Sequence, residues 1–269
     1  MTRVRPMVYQ GVLWVVAMAV IAFLLFPLVV VIPESFSPTT ILYFPPHGLS
    51  LRWYQDFVND PNWIPALWLS VRLGLSVAAL ATILGLAAAV GLHRYIKRGR
   101  GAIRLLVVGP VIIPVIVSAI AIFDIMSRLR LVGTFEGLLL AHTILAVPFP
   151  IIILENALKS VDPTLEDAAV SMGASRLQAF YKVTLRLILP SVFGAALFAF
   201  MASWDEVVVV LFVGGAFLQT LPLVMYQFVT TEIKPTIGAV STLLIVAVAI
   251  VFAIAQTRPW RRVQWLTRR

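Results

Sequence analysis

Four side chains set in apolar surroundings carry most of the chemistry open to this chain: Asp124 next to Phe123, and Trp204, Asp205 and Glu206 in succession. A charged group inside a bilayer is costly, so a carboxylate within an apolar run is a functional candidate. Carboxylates beside aromatic faces suit a cationic amine, held by ion pairing and cation–π contact. Two blander readings stay open: Asp124 lies at headgroup level, or Arg72, in another apolar run, pairs with one of the acids. His142 reads as a packed or hydrogen-bonded side chain rather than a ligand. The three histidines (His47, His93, His142) are too scattered for a metal site, and the absence of cysteine excludes disulfide, thiolate and cysteine–metal chemistry. A membrane-embedded enzyme would need His, Asp or Ser at working spacing in these runs, and none is found, so no catalytic residue is expected.

A second constellation runs from Ser160 to Pro190. Asp162 before Pro163 opens a helix, with proline where its missing N–H costs nothing. Glu166 and Asp167 then fall near the positive end of that helix. Leu165, Ala168, Ala169 and Met172 recur at helical spacing on one apolar face. Gly173 can end the helix in left-handed geometry. Ser175 and Gln178 form a capping-box pattern that opens a second helix, whose stripe is Leu177, Phe180, Tyr181, Thr184 and Leu187. The small face around Ala168 and Ala169 permits close docking by a partner. From the pattern alone, an amphipathic loop lying on its own membrane domain is an equal alternative.

These residues need a membrane frame. The 269 residues are 61% apolar and 12% charged, against about 25% charged in soluble domains. Six runs are long enough to span: 11–32, 64–92, 105–126, 135–154, 188–213 and 237–256. They are continuous rather than alternating, which disfavours a barrel. The net charge of +9 sits in clusters between runs. With the N-terminus inside, most bases fall on the inner side; Arg52, Arg128, Arg130 and Lys234 fall outside, and Arg72 lies within a span. That asymmetry places both termini in the cytoplasm. The 11–32 run reads as a retained helix rather than a cleaved signal. The expected organisation is a first span with an external loop over 1–62, a core over 63–257 with a cytoplasmic loop at 155–187, and a basic tail over 258–269. In the external loop, Trp53, Tyr54 and Trp63 suit the headgroup level. The tail reads as an anchor to anionic lipid, with a partner role for Trp260 and Trp265 as the alternative.

The inner loop resembles the coupling loop of permease subunits of binding-protein-dependent ABC importers. The family pattern is Glu-Ala-Ala, three residues, Gly, nine residues, then Ile-x-Leu-Pro. Here Asp167-Ala168-Ala169 stands at Glu-Ala-Ala, Gly173 at the glycine, and Val183 and Leu185 at the later apolar positions; Arg186 replaces the proline. The stretches from Phe44 to Tyr54, Ser203 to Val208, Thr220 to Pro222 and Ser241 to Leu244 resemble the spermidine/putrescine-type subfamily. The resemblance implies an all-α, polytopic bundle of six transmembrane helices with the type I ABC importer permease fold, in a bacterial inner membrane. It implies a transport subunit for polyamines or related cationic amines, coupled through Glu166, Asp167, Ala168, Ala169, Met172 and Gly173 to a separate ATPase. Asp124, Trp204, Asp205 and Glu206 would line the substrate pathway. Its partners would be ATPase subunits that bind ATP and Mg, a second and different permease chain, and an external solute-binding protein. The chain itself has no Gly-x-x-x-x-Gly-Lys-Ser/Thr motif, so no cofactor is expected in it. Other cargoes for the same permease type are an opine, an aminobutyrate-like solute, ferric ion or an oxyanion, the last disfavoured by the paired acids.

Overall fold

The computed structural model describes residues 6–40, 44–96, 98–231 and 234–257. The tail 258–269, with Trp260 and Trp265, lies outside the described residues. In chain order the helices are α1 (Pro6–Glu34), α2 (Arg52–Asn59), α3 (Trp63–Val90), α4 (Arg100–Ile112), α5 (Val115–Arg128), α6 (Phe135–Ala146), α7 (Pro148–Lys159), α8 (Thr164–Ser171), α9 (Arg176–Ala179), α10 (Leu185–Trp204), α11 (Val208–Val213), α12 (Leu221–Thr231) and α13 (Thr236–Thr257). π-helical turns, Gly91–Tyr95 and Phe180–Thr184, extend α3 and precede α10. The described residues contain no strand, so the all-helical expectation holds.

The six apolar runs fold as helices with breaks that composition alone understates. Among the described residues three helices are continuous and apolar enough to cross a bilayer: Gln10–Glu34, Trp63–Tyr95 and Arg176–Trp204. The third run is cut at Ile113–Pro114, where α4 and α5 meet at 103°. Proline removes a donor and pushes its predecessor out of helical geometry, and Ile113 is extended at ψ 135. The fourth run bends by 45° between α6 and α7, at Pro148. The fifth ends at Trp204, and α11 restarts after Asp205–Val207. Counting each bent pair as one span gives five, beside a shorter apolar stretch, Thr236–Val251, in the sixth run.

The described fold gathers into two units: Asn62–Tyr226, and the residues up to Pro61 together with those from Gln227 on. In this grouping α13 falls with α1 and α2. In that terminal unit α2 is strongly amphipathic and buries Trp53 and Phe57. The Trp53 indole donates to the Ser37 carbonyl at 2.6 Å, and Tyr54 shares a 2.7 Å hydrogen bond with Ser35. Trp53 is thus a core residue, as is Trp63 in the other unit. The stretch before α3 folds on itself because α2 supplies an apolar face of its own.

In the larger unit α3 packs against α6, α7 and α10, and α5 against α11. The seams are made of small side chains: Ala81, Ala119, Ala141, Ala146 and Ala199 are fully buried. Lipid removes the hydrophobic drive between helices, so close backbone approach and van der Waals contact hold the bundle. Gly85 marks the tightest crossing. A Cβ there would lie 2.4 Å from the Pro150 Cβ and 3.2 Å from the Ile151 amide nitrogen.

Candidate functional site

The loop after α7 folds as the sequence suggests and becomes an elbow at one end of the larger unit. Asp162 accepts from the Thr164 amide at 2.9 Å and the Thr164 hydroxyl at 2.8 Å, starting α8. Those bonds hold the exposed Asp162 carboxyl below its ordinary pKa. Gly173 turns the chain at φ +94°. The capping box is complete: Ser175 Oγ accepts from the Gln178 amide at 3.2 Å, and Gln178 Oε1 accepts from the Ser175 amide at 3.1 Å.

Glu166 then ties the elbow to the bundle. Arg94, in the π turn closing α3, donates to Glu166 through both terminal nitrogens, Nη1 at 2.9 Å. The Thr184 hydroxyl, in the π turn before α10, donates to the same carboxylate. The Arg94 guanidinium also lies 5.1 Å from the Phe180 ring centre. Burial alone would push Glu166 up, but the Arg94 pairing and the Thr184 hydroxyl outweigh it and hold the carboxyl below its ordinary value. α8 is thereby clasped to the ends of α3 and α10 together. Both contacts fall on π-helical turns, which occur frequently at functional positions. An open hollow of about 880 Å³ lies beside the clasp, bordered by His93, Asp167, Leu177 and Tyr181.

The other face of the elbow is uncovered by its own unit. Met172 is 83% exposed, and Leu165, Leu177 and Tyr181 are exposed with it. Asp167 and Ala168 are exposed and Ala169 half-buried. Glu166 differs from Asp167, Ala168, Met172 and Gly173: it faces inward as the anchor, while they are exposed.

The intramembrane candidates separate. Asp124 is exposed on α5 and pairs with Arg128, one turn on, at 3.0 Å. Glu206 accepts from the Val209 amide at 3.0 Å and so caps α11. Asp205 is exposed at the break after α10, and Trp204 stacks on Phe200 with ring centres 5.5 Å apart. Trp204, Asp205 and Glu206 thus stay together at one break. Among the described residues no ion pair or hydrogen bond joins them to Asp124. Arg72 lies 4.2 Å over the Phe135 ring and ion-pairs with none of these acids. His142 is buried and shares a 3.0 Å hydrogen bond with Ser203 through Nδ1, in line with a packed role.

Glu155 lies near the end of α7. In the structure its carboxylate is buried and holds Arg100 at 2.7 Å, Lys159 at 3.0 Å and Arg104 at 3.9 Å. The one local clue is Lys159, four residues on; Arg100 and Arg104 arrive through the fold. Among the described residues no cluster of His, Cys, Asp and Glu could hold a metal ion.

Comparison with known proteins follows this geometry. Residues 81–264 match the model of the binding-protein-dependent transport system inner membrane component. The chain is 30% identical to the putrescine transport system permease protein PotI of Escherichia coli strain K12, over 87% of this chain and 85% of that protein. It is 32% identical to the sulfoquinovosyl glycerol transport system permease protein SmoH of Agrobacterium fabrum, over 79% of this chain and 76% of that protein. A solved bacterial ABC transporter involved in import of the acidic polysaccharide alginate has a chain that superposes with a TM-score of 0.76. It covers 96% of this chain and 99% of its own length at 18% identity, which establishes the fold.

Proposed function

The chain belongs to the binding-protein-dependent transport system inner membrane component family, and from that premise we propose that it is the permease subunit of an ATP-driven importer for polyamines or related cationic amines. The observation that carries the coupling mechanism is the clasped elbow. Leu165, Met172, Leu177 and Tyr181 offer an exposed apolar face, while Glu166 fastens α8 to the ends of two spans through Arg94 and Thr184. A partner ATPase, binding ATP and Mg itself, grips that face around Asp167, Ala168, Ala169, Met172 and Gly173. Its closure moves α8, and the clasp passes the displacement to α3 and α10 as one body. A two-state helix bundle biased in this way alternates access without chemistry on the solute. Both termini and the elbow face the cytoplasm. A second permease chain, different from this one, completes the pathway, and an external binding protein delivers the solute.

Cationic cargo is supported by the similarity to PotI and by the carboxylates Asp205 and Glu206 beside Trp204, where the fifth run breaks. Asp124 is the weaker member, since Arg128 already neutralises it. A second reading keeps the permease and changes the solute; the comparable identity to SmoH favours it. The test is uptake of labelled putrescine into proteoliposomes holding the full assembly. The proposal expects uptake that needs ATP and the binding protein. Uptake by this chain alone would refute the subunit reading. ATP-driven uptake of another solute with none of putrescine would select the second.

A further inference from the structure

We propose that the cluster around Glu155 is a binding site for the phosphate of an anionic phospholipid, such as phosphatidylglycerol. One buried carboxylate faces three cations: Arg100 and Lys159 on Oε1, and Arg104 on Oε2. Glu155 therefore cancels one charge and leaves the cluster with two in excess. The three cations are between a third and a half exposed, while Glu155 is 2% exposed. The acid is buried while the bases around it stay partly exposed, and Lys159 also donates to Asn156 Oδ1 at 3.5 Å. An arginine carries five donors, and one carboxylate cannot satisfy two arginines and a lysine.

The flank of the cluster selects a lipid over a free anion. Arg100 and Arg104 sit on the first turns of α4, and no residue of α4 is buried. Beyond them Leu105, Leu106, Val111 and Ile112 are exposed along the same helix. A phospholipid places a phosphate and two acyl chains one above the other, matching a basic helix end followed by an apolar surface. Inorganic phosphate could use the charges but not the apolar flank. Basic pockets among membrane helices recognise anionic headgroups by this combination. The bound lipid would neutralise the surplus charge where α4 meets α7 and steady the inner end of both.

The test uses the full-length chain in a neutral detergent and native mass spectrometry of the lipid it retains. Phosphatidylglycerol should be retained well above phosphatidylcholine, and millimolar inorganic phosphate should not displace it. Each basic group near an anionic surface is worth about a fivefold change in affinity. Arg104→Gln or Lys159→Gln should therefore weaken phosphatidylglycerol retention about fivefold, and the double variant about twenty-five-fold, with phosphatidylcholine unchanged. Arg104→Lys, which keeps the charge, should retain most of the binding, so a folding defect in the double variant would not hide the result. Equal retention of both lipids by the natural chain would overturn the proposal. So would full displacement by phosphate, which assigns a free-anion site, or loss of bound lipid on assembly with the second permease, which assigns a protein interface.

Discussion

Cutting the clasp at one atom is the sharpest perturbation the structure offers. Glu166→Gln keeps the size of the side chain and removes its charge. The pair is bidentate and supplemented by Thr184, with side-chain exposures of 29% for Arg94 and 15% for Glu166. A charge-assisted hydrogen bond contributes about 1.5–3 kcal/mol, and breaking a fully buried pair costs about 3–5 kcal/mol. Partial exposure moves the estimate toward the lower range, about 2 kcal/mol. That corresponds to about a thirtyfold change in the equilibrium between docked and released α8. In the assembled transporter ATP hydrolysis should continue while solute moved per ATP falls several-fold, because the motor still grips the elbow but no longer pulls both spans. A double-mutant cycle with Arg94→Gln measures the pair itself, and the exchange of Arg94→Glu with Glu166→Arg should restore part of the coupling. A cycle energy below about 0.5 kcal/mol, the range of an ordinary surface pair, would refute the reasoning, as would unchanged transport per ATP in Glu166→Gln.

The pH dependence of the same pair has a fixed sign. The Glu166 carboxyl sits below its ordinary 4.5 in the fold, so its contribution is present above that value and is lost as pH falls through the folded-state value. The stability gap between the natural chain and Glu166→Gln should be flat from pH 6 to 8 and close in acid, as thermal melts will show. Gly173→Ala should cost about 1–2 kcal/mol from left-handed backbone alone, since a Cβ there meets no atom within 4 Å; reduced transport with intact assembly is the expected readout. Gly85→Ala should be worse, because its Cβ would lie 2.4 Å from the Pro150 ring Cβ with backbone atoms close behind at 3.2 Å, and overpacking costs about 1–3 kcal/mol; poor recovery of folded protein checks this. Asp124→Asn should change stability by less than about 0.5 kcal/mol, as an exposed one-turn pair contributes little. A large loss of uptake in that variant would place Asp124 in the pathway after all.

What could be read from the sequence was local. Asp162-Pro163, Gly173 and the Ser175–Gln178 box each act within a few residues, so the elbow was legible before any coordinates. The six apolar runs were legible too, and Pro114 is a readable cause of the break at Ile113–Pro114, but the break at Asp205–Val207 was not, because hydropathy is blind to backbone direction. The clasp was hidden for a different reason. Arg94 and Glu166 are seventy-two positions apart, and no spacing rule joins them. Glu166 stands among the coupling residues in the sequence, and its contacts with Arg94 and Thr184 appear only when α3 and α10 are brought beside α8. Glu155 shows the same limit: its i+4 lysine was visible, its two arginines were not. Trp53 was visible as an aromatic before the second run, but not its burial against α2's own loop, because its partner carbonyl at Ser37 lies sixteen residues away.

The chain contains no cysteine, so Met172→Cys introduces a single thiol on the exposed face of the elbow. Cross-linking from that thiol in the assembled transporter, with and without ATP, tests the coupling account most directly. The account predicts an adduct with the ATPase subunit whose yield changes with nucleotide. A thiol that labels only from outside the cell, or an intact complex in which it never reaches the ATPase, would contradict it.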